Sequence, residues 1–426
     1  MSVKLITDCS LNNENKILKW NAKKLNRVHE FIKNKNGIGN KMLGWIDWPN
    51  NYSDFQDDLI KIKSIVNQWK KMNINKIAVI GIGGSYIGIK AGIDMCLSKL
   101  ETEKFIFISS VDEWEIEYYQ NLLTKNNWAI IVISKSGKTL ETSINFRFFR
   151  EMLKKQYHKD HHKRIACITE KGNNSLIYKI ATKNQYHILG IPKNIGGRFS
   201  TFTNIGLLVF AIAGLNINKM LDTYQKSIND FLEKKWLDPL YYANWRYFFL
   251  KKAKKKIEVF TVYEKKHQYL AEHYKQIFAE SEGKTKKCLL PTIANYSNDL
   301  HSIGQLYQEG CKTFFETHLC LNDHQTKSLN IPVSTFKNDD QLSNLENKTI
   351  KNIVNAINIG VINAHSKIAK NPCLKIKMAT NNEEDFVQIM LFFNIAASCS
   401  SYLLKVNPFN QPGVEAYKEE ITKILE

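Results

Sequence analysis

At 426 residues the chain is long enough for two or three domains. With 43% hydrophobic and 24% charged residues its composition is that of a globular protein, which excludes wholesale disorder, and eight scattered cysteines with no Cys-x-x-Cys pair exclude a disulfide scaffold. The net charge of +19 invites a nucleic-acid partner, but only six of the 60 basic residues are arginine, so it reads as solvated lysine faces whose field favours a small anion.

The first twelve residues contain no apolar run of signal-peptide length, and the segment to about residue 52 mixes polar and aromatic side chains. Residues 59–71 have helical periodicity. Short continuous apolar runs at 76–82, 105–109, 128–134, 165–169 and 187–191 then read as strands buried on both faces of a parallel sheet, with helices at 86–97 and up to 155. The lysine cluster at 251–256 marks a helix end before a strand at 257–262. A helix at 269–279, a strand starting near 288–290, a helix at 300–307 and a strand at 313–319 follow, then an exposed loop at 338–348. Two uncharged stretches, 199–218 and 386–404, are read as buried core helices. The apolar part of the first is too short to span a bilayer, and the second carries Gln388, Asn394 and serines. No linker divides the halves, so the expectation is two tightly packed α/β domains with right-handed crossovers and ligands at the C-terminal strand edges.

Six segments carry chemistry. Gly81-Ile82-Gly83-Gly84-Ser85-Tyr86 is a glycine-rich strand-to-helix turn. Tyr86 stands where a dinucleotide fingerprint requires glycine, leaving either a helix-start phosphate site or a tight packing turn. Ser134-Lys135-Ser136-Gly137-Lys138-Thr139 ends like a P-loop, but Val132 occupies the position of its first glycine. Three hydroxyls and two lysines at a helix start still form an anion cradle. Gly196-Gly197-Arg198 sets a guanidinium beside a buried helix, where it could face a developing oxyanion. In Ala279-Glu280-Ser281-Glu282-Gly283, Gly283 reads as a helix C-cap. Glu280 then meets the negative end of the helix dipole, as suits a general base. Asp299 or Ser297 would cap a helix with His301 in its first turn, which favours the neutral imidazole. A final turn, Asn407 to Gly413, leads into a helix carrying Lys418. No histidine or carboxylate pair has metal-ligand spacing on a helix face, so no metal site is expected.

In this order, GIGGSYIG, SKSGKTLET, GGRFS, AESEGK, NDLHSIGQ with QEG after it, and NPFNQPGVEAYK resemble the glucose-6-phosphate (phosphoglucose) isomerase family in its short bacterial form. The resemblance implies an α/β fold of two sugar-isomerase (SIS) domains, each an α/β/α sandwich with a largely parallel sheet. The divisions expected are residues 1–215 with N-terminal helices and the first domain, 216–400 with the second, and 401–426 as a C-terminal active-site segment. It implies glucose 6-phosphate to fructose 6-phosphate isomerisation through a cis-enediolate, with no cofactor and no metal, by a cytoplasmic homodimer with sites at the subunit interface. No nucleic-acid or membrane partner is implied.

By the same resemblance Gly84, Ser85, Ser134, Lys135, Ser136 and Thr139 match substrate- and phosphate-binding positions. Glu280 matches the proton-shuttling carboxylate, Arg198 the enediolate-stabilising residue and His301 the ring-opening residue, with Lys418 and Gln411 completing the pocket. Lys138 and Cys311-Lys312 depart from the usual pattern, which has threonine at the first position and a pair of arginines at the second. A non-catalytic sugar-phosphate binder on the same fold is the alternative; the matched Glu280, His301 and Lys418 count against it.

Overall fold

Apolar runs such as Trp-Ala-Ile-Ile-Val-Ile at 128–133 have no polar face to offer solvent, and they are buried along their whole length. The computed structural model describes residues 1–7, 17, 20–172, 174–321, 328–336 and 338–425. Residues 8–12 of the segment read as lacking a signal peptide, Cys9 among them, therefore lie outside the described residues. Among the described residues two five-stranded sheets organise the fold. The first contains β2 (Lys76–Ile80), β3 (Phe105–Ile108), β4 (Trp128–Ile133), β5 (Ile165–Thr169) and β6 (His187–Gly190), all parallel, in the order β3-β2-β4-β5-β6. The second contains β1 (Lys4–Thr7), β7 (Ile257–Val262), β8 (Leu290–Asn295), β9 (Phe314–Leu321) and β10 (Cys373–Met378) in the order β1-β10-β9-β7-β8. Only β1 runs antiparallel, along β10. The N-terminal segment thus supplies an edge strand to the sheet built otherwise from the second half of the chain.

Helices of two turns or more are numbered in chain order. They are α1 (Ala22–Lys33), α2 (Phe55–Lys71), α3 (Ile87–Cys96), α4 (Glu113–Thr124), α5 (Leu140–Tyr157), α6 (Leu176–Lys183) and α7 (Asn204–Ile212). After these come α8 (Ile217–Leu232), α9 (Asp238–Lys251), α10 (Gln268–Glu282), α11 (Ile350–Asn363), α12 (Glu383–Leu403) and α13 (Gly413–Leu425). Among the described residues α12 alone is long and apolar enough to cross a membrane, but its apolar window is wholly buried within the protein. Phe386 of α12 packs edge-on against Phe202 and Phe210, the latter on α7, so both uncharged stretches meet in one core.

The strand order places the site. From β2 the chain goes to β3 on one side, then returns to β4 on the other, so the loops after β2 and β4 lie side by side where the winding reverses. These loops are the two glycine- and hydroxyl-rich segments singled out in the sequence. The expected helix at 300–307 is instead a 3-10 turn, Asn298–His301, followed by a short helix, Gly304–Glu309. Asp299 does not cap it: its Oδ2 turns back to accept from the Asn295 backbone N–H at 2.6 Å, and Ser297 makes no side-chain cap. His301 therefore ends a single turn and gains no long helix's dipole.

Candidate active site

The loop after β2 turns through Gly83–Ser85 before α3. A Cβ on Gly84 would fall 2.3 Å from the Gly197 carbonyl carbon, so only glycine lets this loop lie against the Gly197–Arg198 peptide. The loop after β4 passes through Gly137 at φ +72°, the left-handed region that glycine tolerates. Within it Ser134 Oγ accepts the Gly137 N–H at 3.1 Å and Ser136 Oγ accepts the Lys138 N–H at 3.2 Å. Thr139 occupies the N-cap position of α5 without a side-chain capping bond, so its hydroxyl is not spent on the helix.

Opposite these loops, α10 ends in Ala-Glu-Ser-Glu. Gly283 is its C-cap as expected, but at φ −67° rather than in the left-handed conformation. Glycine is required there because a Cβ would lie 2.4 Å from the Ala279 carbonyl oxygen.

Arg198 lies between the two walls, buried to 3% exposure. Its Nε donates to Ser281 Oγ at 3.0 Å. One terminal nitrogen donates to Glu280 Oε2 at 3.1 Å and to Gln411 Oε1 at 3.0 Å, and the other to the Pro408 carbonyl. Burial pulls its pKa below the ordinary arginine value, and the Glu280 carboxylate acts in the opposite direction. Glu280 keeps about a third of its side chain exposed, with Oε1 accepting from Gln276 Nε2 at 2.8 Å. Lys284 Nζ donates to the Glu280 carbonyl at 2.6 Å and to the Asn410 carbonyl at 2.8 Å. Burial first, then the neighbouring Arg198 charge, lower its pKa to about 8.

These elements enclose a cleft of about 740 Å³. Of the residues singled out in the sequence, Gly84, Ser136, Thr139, Arg198, Glu280, Gln411 and Lys418 line it, together with the departure Lys138. Ser85, Ser134, Lys135 and His301 do not. Ser134 is buried and holds its own loop, Lys135 Nζ donates to the Lys193 carbonyl at 3.0 Å, and His301 is exposed on its 3-10 turn. Lys418 stands on α13, paired with Glu415 at 2.9 Å.

Gln276 and Lys284 escaped the sequence reading. Gln276 precedes Glu280 by one helical turn, a spacing that puts both on one face and was legible in principle. The structure also assembles a group with metal-ligand chemistry that helix-face spacing does not reveal. Glu316 and His318 of β9 and Cys373 of β10 are buried with ligand atoms within 4.8 Å of one another. The β9–β10 register, Glu316 opposite Cys373, creates this group. It belongs to the second sheet's interior and contributes nothing to the cleft lining.

This architecture has known counterparts. The profile of the family described as phosphoglucose isomerase matches residues 54–426. A glucose-6-phosphate isomerase of Mycoplasmoides gallisepticum is 38% identical over 410 residues, covering 94% of this chain and 95% of that protein. One of Mycoplasmopsis pulmonis is 36% identical, covering 97% of each. Among solved structures, a hypothetical protein of Thermus thermophilus superposes with a TM-score of 0.87 at 23% identity, covering 99% of both chains. A glucose-6-phosphate isomerase of Chlamydia trachomatis superposes at 0.73 with 18% identity, covering 87% of this chain and 73% of that one, a likeness of fold. With sequence relatives aligned over nearly their whole length, and five of the six matched segments meeting in one cleft, the chain belongs to the phosphoglucose isomerase family.

Proposed function

We propose that this chain interconverts glucose 6-phosphate and fructose 6-phosphate, with Glu280 carrying a proton between C1 and C2 through a cis-enediolate. The observation that carries this reading is the Glu280 carboxylate in the cleft, one oxygen held by Gln276 and the other by Arg198, across from an α-helix start rich in hydroxyls. The proton on the carbon next to a sugar carbonyl is acidic only if the resulting oxyanion is stabilised. A carboxylate fixed beside a desolvated guanidinium supplies both partners of that step. Glu280 takes the proton from C2 of the open-chain aldose, the hydroxyl proton passes from O2 to O1 while Arg198 faces the enediolate oxygens, and Glu280 returns its proton to C1. The phosphate is anchored at the start of α5 by Ser136, Thr139 and the backbone N–H groups there, with Ser134 and Lys135 shaping the loop and Gly84 and Ser85 closing it from the β2 side. Its binding free energy holds the sugar in a reactive geometry.

Ring opening falls to His301, with Lys418 and Gln411 completing the substrate's surroundings. Because His301 stands outside its own chain's cleft, it acts in the cleft of a second copy, which makes the working unit a homodimer. The reaction needs neither metal nor organic cofactor on this reading and runs in the cytoplasm, and the domains divide at about residues 215 and 400.

The test is a coupled assay in both directions on wild type and Glu280→Gln. The amide keeps size and polarity but cannot act as a base, so turnover should fall more than ~100-fold while a competitive sugar-phosphate inhibitor still binds. More than a tenth of wild-type turnover in the variant overturns the assignment.

A further inference from the structure

The last turn of α10 is held from two sides by two arginines. Arg198 takes Glu280 and Ser281 from the cleft side. Behind them Glu282, the next residue, turns into the second domain's interior, where both its carboxylate oxygens accept from one terminal nitrogen of Arg246 at 3.0 Å. Arg246, on α9, is fully buried. Its other terminal nitrogen contacts Glu258 of β7 and donates to the Tyr274 hydroxyl at 3.2 Å, and its guanidinium lies 3.8 Å from the centre of the Phe278 ring. Glu258 is fixed in turn by Tyr242 at 2.5 Å and Thr317 at 2.7 Å. One guanidinium thus ties α9, the interior strand β7 and the end of α10 together at the residue two places from the proposed base.

This arrangement is costly as a mere support. Three ionisable side chains out of water carry a large desolvation penalty, and well-packed apolar residues would serve stability as well or better. What an apolar contact would not supply is a fixed orientation. A planar guanidinium held at one terminal nitrogen by both Glu282 oxygens and at the other by Glu258 and Tyr274, against the Phe278 ring, sets the direction of the helix end as well as its distance. A proton shuttle that must reach both C1 and C2 depends on such placement, because small displacements of a base lower rates without weakening binding.

We propose that Arg246, with Glu282 and Glu258, is the positioning device for Glu280: the buried ion triad sets the last turn of α10 so that the carboxylate stays aligned with Arg198. This rests on the reading of Glu280 as the base.

Glu282→Gln tests it, since the amide is isosteric and its remaining oxygen still accepts from Arg246. The measurements are kcat, KM and the fraction of deuterium transferred from C2 of labelled substrate to C1 of product rather than lost to water. A loosened carboxylate exchanges its captured proton more often before returning it. We expect kcat to fall about ten-fold or more with KM within about three-fold of wild type, and the transferred fraction to drop. Arg246→Lys, which keeps the charge but replaces the planar two-nitrogen fork with a single flexible point charge, should share this signature; if it does not fold, Glu282→Gln decides alone. Glu282→Asp, with the charge restored on a shorter arm, should recover less turnover than wild type but more than the amide.

Unchanged kcat and unchanged deuterium transfer in Glu282→Gln overturn the proposal, even if melting temperature falls, because the triad is then only structural. The two readings fail separately. If Glu280→Gln remains active the base assignment is wrong; if Glu280→Gln is inactive and Glu282→Gln is normal, only the positioning role is lost.

Discussion

Lys138 is one residue before the N-cap of α5, where this family's pattern leads one to expect threonine. Its backbone N–H is tied to Ser136 Oγ, its side chain lines the cleft, and it makes no ion pair or side-chain hydrogen bond among the described residues. An ammonium at a helix start opposes the dipole unless an anion arrives to share it. Lys138→Thr is therefore expected to weaken a competitive sugar-phosphate inhibitor about three- to ten-fold and to flatten the salt dependence of its inhibition constant. Equal constants at low and high ionic strength would make the lysine a bystander.

Lys284 makes a second prediction at this scale. Burial holds its pKa at about 8, against ~10.4 for a free lysine. Between those two pH values the unfolded chain keeps a proton that the folded protein has released, so this group's contribution to stability rises with pH across that window. Catalysis goes the other way. The ammonium joins the Glu280 carbonyl to the Asn410 carbonyl, beside Gln411, and the neutral amine donates more weakly. Turnover should decline with an apparent pKa of about 8. In Lys284→Met it should be lower and flat over the same range; a decline that persists in the variant assigns it to another group.

Among the elements, α13 is unusual in burying no residue while forming a wall of the cleft through Glu415, Tyr417 and Lys418. Such a helix lines a site without carrying the core. Deleting residues 413–426 should shift the melting temperature by no more than about 2–4 °C, as surface changes do, yet abolish turnover. A large loss of stability would show that the helix is integral to the fold. Elements buried on both faces were the legible ones: the runs at 165–169 and 257–262 coincide with β5 and β7 to the residue, the first as an apolar run ending in Thr169 and the second because apolar and β-branched neighbours flank its one charge, Glu258. β10, Cys-Leu-Lys-Ile-Lys-Met, was missed because its lysines break the run, and the four-residue edge strand β1 was too short to register. At the site, glycines and hydroxyls at strand ends disclosed the two loops. Which way each side chain turned was not disclosed: Ser134 and Ser136 differ by two positions, yet one braces the loop and the other faces the cleft. That outcome depends on the path of the loop through Gly137, a tertiary property.

At the scale of the whole molecule the chain looks incomplete as a catalyst. One cleft gathers the proposed base Glu280, the proposed electrophile Arg198, the proposed phosphate anchor and Lys418, but His301, the ring-opening residue of this reading, is not among its lining residues. His301 follows β8 of the second sheet, whereas the cleft opens beside the switch point of the first. Most closed oligomers are twofold symmetric, and under that symmetry a residue missing from each cleft can be provided to both by exchange. Complementation tests this without any structure of the dimer. Glu280→Gln and His301→Ala homodimers should each be nearly inactive. After the two are unfolded, mixed in equal amounts and refolded together, half the dimers are hybrids, each with one cleft combining an intact Glu280 with an intact His301 and one cleft lacking both. The mixture should then regain about a quarter of wild-type turnover, the share expected from random pairing of two subunits. If His301 served its own chain, every cleft in a hybrid would carry one defect, and mixing would restore nothing.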